Sequence, residues 1–304
     1  MPTPEPGAGE VRIKLAASGI NPGDVKKREN AFGYGMPFPR IIPHSDGAGT
    51  LDAVGKGVSE TLVGSRVWCY GAQTYRPFGT AAEYTVVPAG QAIELPEGAS
   101  FEVGACLGIP TITAHRSVHV GGSVDGKTVL VQGGAGAVGS LAVLFAKRAG
   151  ARVIATVGND RDRSIAESMG ADDVIMRDVK AVASIKDIAP EGVDHIVEVA
   201  LDANLDSNVE ILAQGGSIAT YATGKASVAV PVWLLVFVNG RLYFVGSDDV
   251  PVAAKEEAVS AVSEALRAGW KGPEVAKTYP LEQIAPAHES VERPSRPGRV
   301  IVTI

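Results

Sequence analysis

Two kinds of hydrophobic patterning divide the chain. Up to about residue 112, short apolar alternations such as VRIKLAAS and AAEYTVV are broken by the Gly, Pro and Asn turns NPGD, DAVGKGV and VPAGQ. Alternation with a period of two buries one face of a strand, so this region predicts antiparallel strands joined by irregular loops. From residue 113 the pattern changes. KTVLVQ predicts a buried strand, SLAVLFAKRAG a helix ended by Gly150, and ARVIATV a second strand. RDRSIAESMGA predicts another helix, and DDVIM, VDHIVEVA, GGSIATYA and RLYFVGS predict further strands. Strands alternating with helix-length segments predict βαβ units and a parallel sheet. From 251, PVAAKEEAVSAVSEALRAG predicts one amphipathic helix, with Ala258, Val259, Val262, Ala265 and Leu266 on a shared face, and GRVIVTI returns to strand. The expectation is a β-rich domain of residues 1–112 and 251–304 around an α/β domain of residues 113–250.

Composition narrows the class without altering that plan. The 304 residues are 45% apolar and 20% charged, which describes a globular chain. A net charge of −6 argues against nucleic acid or an anionic membrane as partner. The longest apolar run, VAVPVWLLVFV near residue 230, is too short for a membrane span and contains a proline, so it predicts core or interface. The start, MPTPEPGAGEVRIK, has no apolar segment of the signal-peptide kind. Two cysteines, Cys69 and Cys106, are too few for a disulfide framework and suit a reducing cytoplasm.

VLVQGGAGAVGSLAV changes the picture, because strand, glycine turn and helix follow one another with Gly134, Gly136 and Gly139 in G-x-G-x-x-G spacing. Gly134 is expected to permit the tight turn and Gly136 to let backbone approach a pyrophosphate. Gly139 is expected to let the helix pack close to the strand, and the helix N-terminus then offers unpaired N–H groups to phosphate. A tight turn that binds nothing is the bland alternative; the flanking strand and helix favour a dinucleotide. The second strand ends VIATVGNDRDR, with Gly158 and Asn159 where an acid would bond the ribose of NAD. Arg161 and Arg163 follow, and a guanidinium can bind a 2′-phosphate in bidentate fashion, so NADP(H) is expected. Solvated charges at a helix start remain the alternative for both arginines.

PEPGAGEVRIKLAASGINPGDVK, GTAAEYTVVPAG, GACLGIPTITAHRSV, VQGGAGAVGSLAVLFAKRAGARVIATVG and the ending YPLEQIAPAHESVE…GRVIVTI together resemble the zinc-free quinone oxidoreductase (zeta-crystallin-like) group of medium-chain dehydrogenase/reductases. The resemblance spans nearly the whole chain. It implies an α/β fold with a GroES-like, β-rich catalytic domain and a Rossmann-type, doubly wound parallel sheet. The zinc-dependent branch has ligands at three places, which here hold Asn21, Ser45 and Ile109. These cannot supply the three protein ligands of a catalytic zinc, so no metal is expected; His44, one residue before Ser45, is expected to be a loop residue.

The resemblance further implies NADPH-dependent reduction of quinones or other conjugated carbonyls, a small electrophilic acceptor as partner, and a homodimer pairing across the edge strand RLYFVGS. Asn21 is the first catalytic candidate, with an Asx turn before Pro22 as its alternative role. Where relatives carry two tyrosines, this chain has Lys26 and Phe32; Lys26 is the second candidate, with a solvated lysine as the alternative, and Tyr34 the third. Gly136, Ala137 and Val138 are expected on the pyrophosphate, Gly158, Asn159 and Arg161 near the adenosine ribose. Tyr221, Ala222, Phe244, Val245 and Gly246 are expected near the nicotinamide, and Thr113 within reach of the cofactor. Relatives also carry a β-hairpin ahead of PEPGAGEV, whose loss would uncover a sheet edge. A nucleotide-binding sensor with little turnover is the competing function, motivated by the missing tyrosines.

Overall fold

The computed structural model describes residues 1–33, 35–293 and 298–304. The chain divides into two compact units, Met1–Pro110 with Val259–Ile304, and Thr111–Ala258. The return to the first unit falls inside a helix rather than ahead of it.

In the first unit, strand β1 (Glu10–Gly19) is followed by helix α1 (Pro22–Arg28), β2 (Asp46–Val54), β3 (Arg66–Cys69), β4 (Tyr84–Pro88), β5 (Ala92–Glu94) and the short α2 (Phe101–Gly104). Helix α3 (Gly108–His119) leads into the second unit. That unit alternates strand and helix: β6 (Thr128–Val131), α4 (Ala137–Arg148), β7 (Arg152–Val157), α5 (Asp160–Ser168), β8 (Asp173–Met176), α6 (Ala181–Ile188), β9 (Val193–Glu198), α7 (Leu201–Glu210), β10 (Leu212–Thr220), α8 (Val232–Phe237) and β11 (Arg241–Phe244). Helix α9 (Val252–Arg267) then leads to β12 (Val275–Pro280), α10 (Ile284–Glu292) and β13 (Arg299–Thr303).

The first unit's sheet runs β12-β13-β1-β2-β3-β5, with β4 also paired to β1. Both edges of β1 are therefore partnered: β2 along one, β4 and then β13 along the other. Val11, Ile13 and Leu15 alternate inward and meet Leu51, Val67 and Val87 in one core, as a period of two requires. The second unit's sheet is parallel and ordered β8-β7-β6-β9-β10-β11. Its chain order reverses between β6 and β9, which creates a switch point where ligands of such sheets bind at the carboxyl ends of the strands. Ala258, Val262, Ala265 and Leu266 are buried on α9 as the helical spacing predicts.

The apolar run near residue 230 is core on one side only: Val228, Leu235 and Val238 pack against the second unit's core, and most of the rest is exposed. It forms α8, where Trp233 and Phe237 are each 72% exposed and stack at 6.3 Å. Burial cannot be read from an apolar run alone, since an interface helix and a core helix share the same composition. No helix among the described residues is long and apolar enough to cross a membrane.

Candidate functional site

The glycine turn lies between the end of β6 and the start of α4, next to the switch point. Gly133, and not Gly134, carries the left-handed backbone, with φ +71°. Gly134 is needed for packing: a Cβ there would stand 2.7 Å from the Ala155 Cβ on β7. At Gly139 a Cβ would stand 2.1 Å from the Gly133 carbonyl oxygen, so only glycine lets the first turn of α4 sit against the loop. Gly136 is the N-cap of α4, which has no side-chain cap, and a Cβ there would meet only the Gly133 oxygen, at 3.3 Å. The amides of Ala137 and Val138 open the helix, where N–H groups lack intrahelical partners and the dipole is positive. A pyrophosphate fits this bare, uncapped backbone.

At the end of β7, Gly158 faces two opposed charges. The position of a Cβ on Gly158 lies 3.6 Å from Arg177 Nη2 and 3.6 Å from Asp162 Oδ2. Arg177 directly follows β8 and was not signalled by the glycine motif; its place is set by pairing of β8 with β7. Arg163 has another employment: its Nη1 donates to the Val174 carbonyl on β8 at 2.9 Å, and it lies 4.0 Å from Glu167. That bond ties α5 to β8, and the Arg163 side chain stays 35% exposed. Arg161 lies exposed on the first turn of α5. Asn159 is the N-cap of α5, its Oδ1 accepting from the Asp162 N–H at 3.0 Å. Asn159 Nδ2 also donates to Asp162 Oδ2 at 3.1 Å, while Asp162 Oδ1 is buried without a hydrogen-bond partner.

Tyr221 and Ala222 follow β10, and Val245 and Gly246 follow β11, so parallel pairing brings them to the same sheet edge as the glycine turn. Packing around the Tyr221 phenol, with Glu198 nearby, pushes its pKa up. Val245 is buried and donates its N–H to Thr220 O, whereas Phe244 is 74% exposed on β11, the last strand of the sheet. Thr113 is buried on α3.

Beneath the glycine turn runs a chain of buried polar groups. The Gly133 N–H donates to Thr156 Oγ1 at 3.1 Å, and the Thr156 hydroxyl to Gln132 Oε1 at 2.6 Å. Gln132 Nε2 donates to Asn208 Oδ1 at 2.8 Å, and Asn208 Nδ2 to Glu198 Oε2. Glu198 also accepts from the Ala200 N–H and from Asn204 Nδ2. Thr156, Gln132, Asn208 and Glu198 are all buried.

In the first unit, Asn21 is buried with its amide engaged at both ends. Its Nδ2 donates to Asp46 Oδ2 at 2.7 Å and its Oδ1 accepts from Arg299 Nη2 at 2.8 Å. Asp46 also accepts from the Ile109 N–H, and its burial pushes the carboxyl up to about 7, against the opposing pull of Asn21 and Arg299. Asn21 is thus the N-cap of α1 and a node of a buried cluster. Lys26 lies partly exposed in the last turn of α1, Phe32 is exposed beyond it, and Tyr34 falls outside the described residues.

His44 lies in the loop before β2, as expected, but it is not exposed there. It is fully buried at φ +76°, its Nδ1 bonded to Ser18 Oγ at 2.8 Å and its Nε2 to His288 Nε2 at 2.8 Å. Burial, reinforced by His288, lowers its pKa to about 3. Among the described residues no group of three or more His, Cys, Asp or Glu side chains is placed to hold a metal ion. Cys69 and Cys106 are free and buried, and burial pushes their thiols up to about 12 and about 11.

Two family models match in chain order. "Alcohol dehydrogenase GroES-like domain" matches residues 7–97, and "Zinc-binding dehydrogenase" residues 137–262. The quinone oxidoreductase of Rattus norvegicus is 29% identical over 99% of this chain and 91% of its own. Among solved structures, an NAD-dependent alcohol dehydrogenase superposes with a TM-score of 0.88 at 25% identity, covering 100% of this chain and 94% of that one. The Thermus thermophilus quinone oxidoreductase, solved also with NADPH, gives a TM-score of 0.84 at 26% identity with the same coverage. Matching models for both units, full-length relatives and a parallel sheet with a glycine turn at its switch point converge: the chain is an oxidoreductase of the medium-chain dehydrogenase/reductase family, similar to its quinone oxidoreductases.

Proposed function

We propose that the protein reduces quinones or other conjugated carbonyl acceptors, enones and enals, with NADPH and without zinc. The observation that carries the reading is the uncapped α4 N-terminus beside the bare Gly136 backbone, at the switch point of the second unit's sheet. Gly136, Ala137 and Val138 would hold the pyrophosphate, and Gly158 with Arg177 the ribose bearing the 2′-phosphate. Tyr221, Ala222, Val245 and Gly246 would flank the nicotinamide. Bound there, NADPH supplies the two electrons of the reduction as hydride.

An acceptor that is already electrophilic needs hydrogen bonding and positioning more than a Lewis acid. Asn21, Ser45 and Ile109 stand where the family's zinc-dependent branch has its ligands, and the Asn21 amide is engaged by Asp46 and Arg299. Lys26 would donate to the acceptor oxygen and supply the proton that completes the reduction, and Asn21 would hold the start of α1 in place. The test is loss of reduced-nicotinamide absorbance with benzoquinone, phenanthrenequinone, an enone and an enal, with NADH and a chelator as controls. Turnover favouring NADPH and indifferent to chelator is expected; turnover abolished by chelator would overturn the zinc-free part.

The assembly we propose is a cytoplasmic homodimer. Strand β11 lies at the edge of its sheet; Phe244 on it is exposed, as are Trp233 and Phe237, which stack on the preceding helix α8. An unpaired edge with apolar neighbours is stable when covered, and a two-fold axis covers both copies at once. Light scattering on the protein and on Trp233→Lys tests it: a dimer mass that falls to a monomer is expected.

A further inference from the structure

The buried polar chain of the second unit has a direction. Each of its four hydrogen bonds donates the same way: Gly133 N–H to Thr156, Thr156 to Gln132, Gln132 to Asn208 and Asn208 to Glu198. It starts on the one non-helical amide whose glycine has the left-handed backbone of the turn, and it ends on a carboxylate. Four segments contribute: the end of β6, β7, the end of β9 and α7. We infer that Thr156, Gln132, Asn208 and Glu198 are positioning residues for the dinucleotide, fixing the Gly133 peptide and through it the phosphate-facing start of α4. The inference rests on the nucleotide reading above and deepens it.

The geometry holds the peptides on both sides of Gly133. Its N–H is held from below by Thr156, its oxygen accepts from the Gly136 N–H at 3.0 Å, and that same oxygen abuts Gly139. The Gly134 N–H is bound in turn to the Thr156 carbonyl at 2.9 Å, so one residue of β7 grips two successive amides of the loop. A peptide rotated out of this grip would carry Gly136 and the first amides of α4 with it. Glycine-rich backbone is otherwise soft, because φ and ψ are little restricted without Cβ. Aligned hydrogen bonds in a dry interior polarise one another, and a terminal anion strengthens the series. Glu198 is itself anchored by Asn204 and Asn208, one turn apart on α7, so the far end does not drift. None of these four side chains is needed to touch the nucleotide; they act through the backbone of the turn.

The test compares two ligands that share the adenosine 2′-phosphate and differ in the pyrophosphate: 2′-phospho-ADP-ribose and adenosine 2′-monophosphate. Thr156→Val keeps the shape and removes the hydroxyl. It should weaken 2′-phospho-ADP-ribose and NADPH roughly tenfold, because it leaves the part-buried Gly133 N–H and the buried Gln132 Oε1 without partners. Adenosine 2′-monophosphate should change by less than about twofold on the same scale. The KM for NADPH should rise while kcat at saturating NADPH stays, and Thr156→Ser should restore binding. If Thr156→Val does not fold, Gln132→Glu, which keeps the acceptor for Thr156 but turns an acceptor toward Asn208, should give the same selective loss. Equal weakening of both ligands, or unchanged affinity in a folded variant, would overturn the inference. If the unmodified protein bound neither ligand, the nucleotide reading itself would fall, an outcome distinct from those two.

Discussion

The two units bury polar groups in opposite ways. The first packs ionisable side chains together: Asp46 beside Arg299 through Asn21, and His44 against His288. The second buries a chain of neutral hydroxyl and amide groups that ends on one carboxylate with three donors. Charge burial is expensive unless compensated, and it makes stability depend on pH. A hydrogen-bonded chain of hydroxyl and amide groups specifies geometry. The first unit's cluster therefore bears on stability, and the second's on the shape of the glycine turn.

Removing the cation is the hardest blow to this contrast. Arg299→Met leaves Asn21 Oδ1 without its donor and Asp46 without its nearest positive charge; a loss of about 3–5 kcal/mol is expected from denaturant midpoints, the cost of breaking a buried pair. The equivalent cut in the second unit, Thr156→Val, should destabilise by only about 1–3 kcal/mol.

Acid should test the first unit's buried cluster next. His44 has its folded pKa depressed from 6.5 to about 3, so the unfolded chain takes up its proton first as pH falls. Stability is lost from about pH 6.5 downward, and at pH 3 the His44 share is at most about 5 kcal/mol, each pKa unit being worth about 1.4. Asp46 works the other way: its pKa is raised from 3.8 to about 7, so its contribution is full below 3.8 and is lost as pH rises through 7. His44→Asn, tolerated at a positive φ, should flatten the acid limb of a stability–pH curve. Asp46→Asn should flatten the limb toward neutrality. An unchanged acid limb in His44→Asn would mean that other histidines, all of which are held low by burial, carry it.

The smaller effect concerns cofactor choice. Arg177→Ala should weaken NADPH by roughly tenfold with little change for NADH, the worth of one charge-assisted contact. Asp162→Asn should improve NADPH by a smaller factor, because a carboxylate beside a 2′-phosphate repels it. Titration of both nucleotides against both variants reads this directly.

The parts that were legible in the sequence are those whose physics is local. The parallel sheet and the spacing of Gly134, Gly136 and Gly139 follow from short-range periodicity and from backbone that tolerates no Cβ. The spacing points to Gly134 as the turn residue and the structure to Gly133, since a positive φ leaves no mark in sequence when two glycines are adjacent. Arg163 is near the motif in the chain, while Arg177 is near it only through strand pairing, which local sequence does not show. His44 and His288 are 244 residues apart, and nothing in either neighbourhood announces the other. The polar chain did leave a trace: Gln132, Thr156 and Glu198 interrupt apolar runs in parallel strands, where burial on both faces makes a polar side chain conspicuous. Its partners, however, are fixed by the fold alone.

Strand β13 sits between β12 and β1, and it brings Arg299 to Asn21. All of the second unit lies earlier in the chain than this strand. On a ribosome, residues 111–258 can complete their sheet while β1 still lacks one neighbour and Asp46 still lacks its cation. The first unit therefore waits in an open form through the synthesis of the second, with part of an edge available to misplaced pairing. Its rate of productive folding is set by the arrival of its last strand, and that interval is when a chaperone has most to protect.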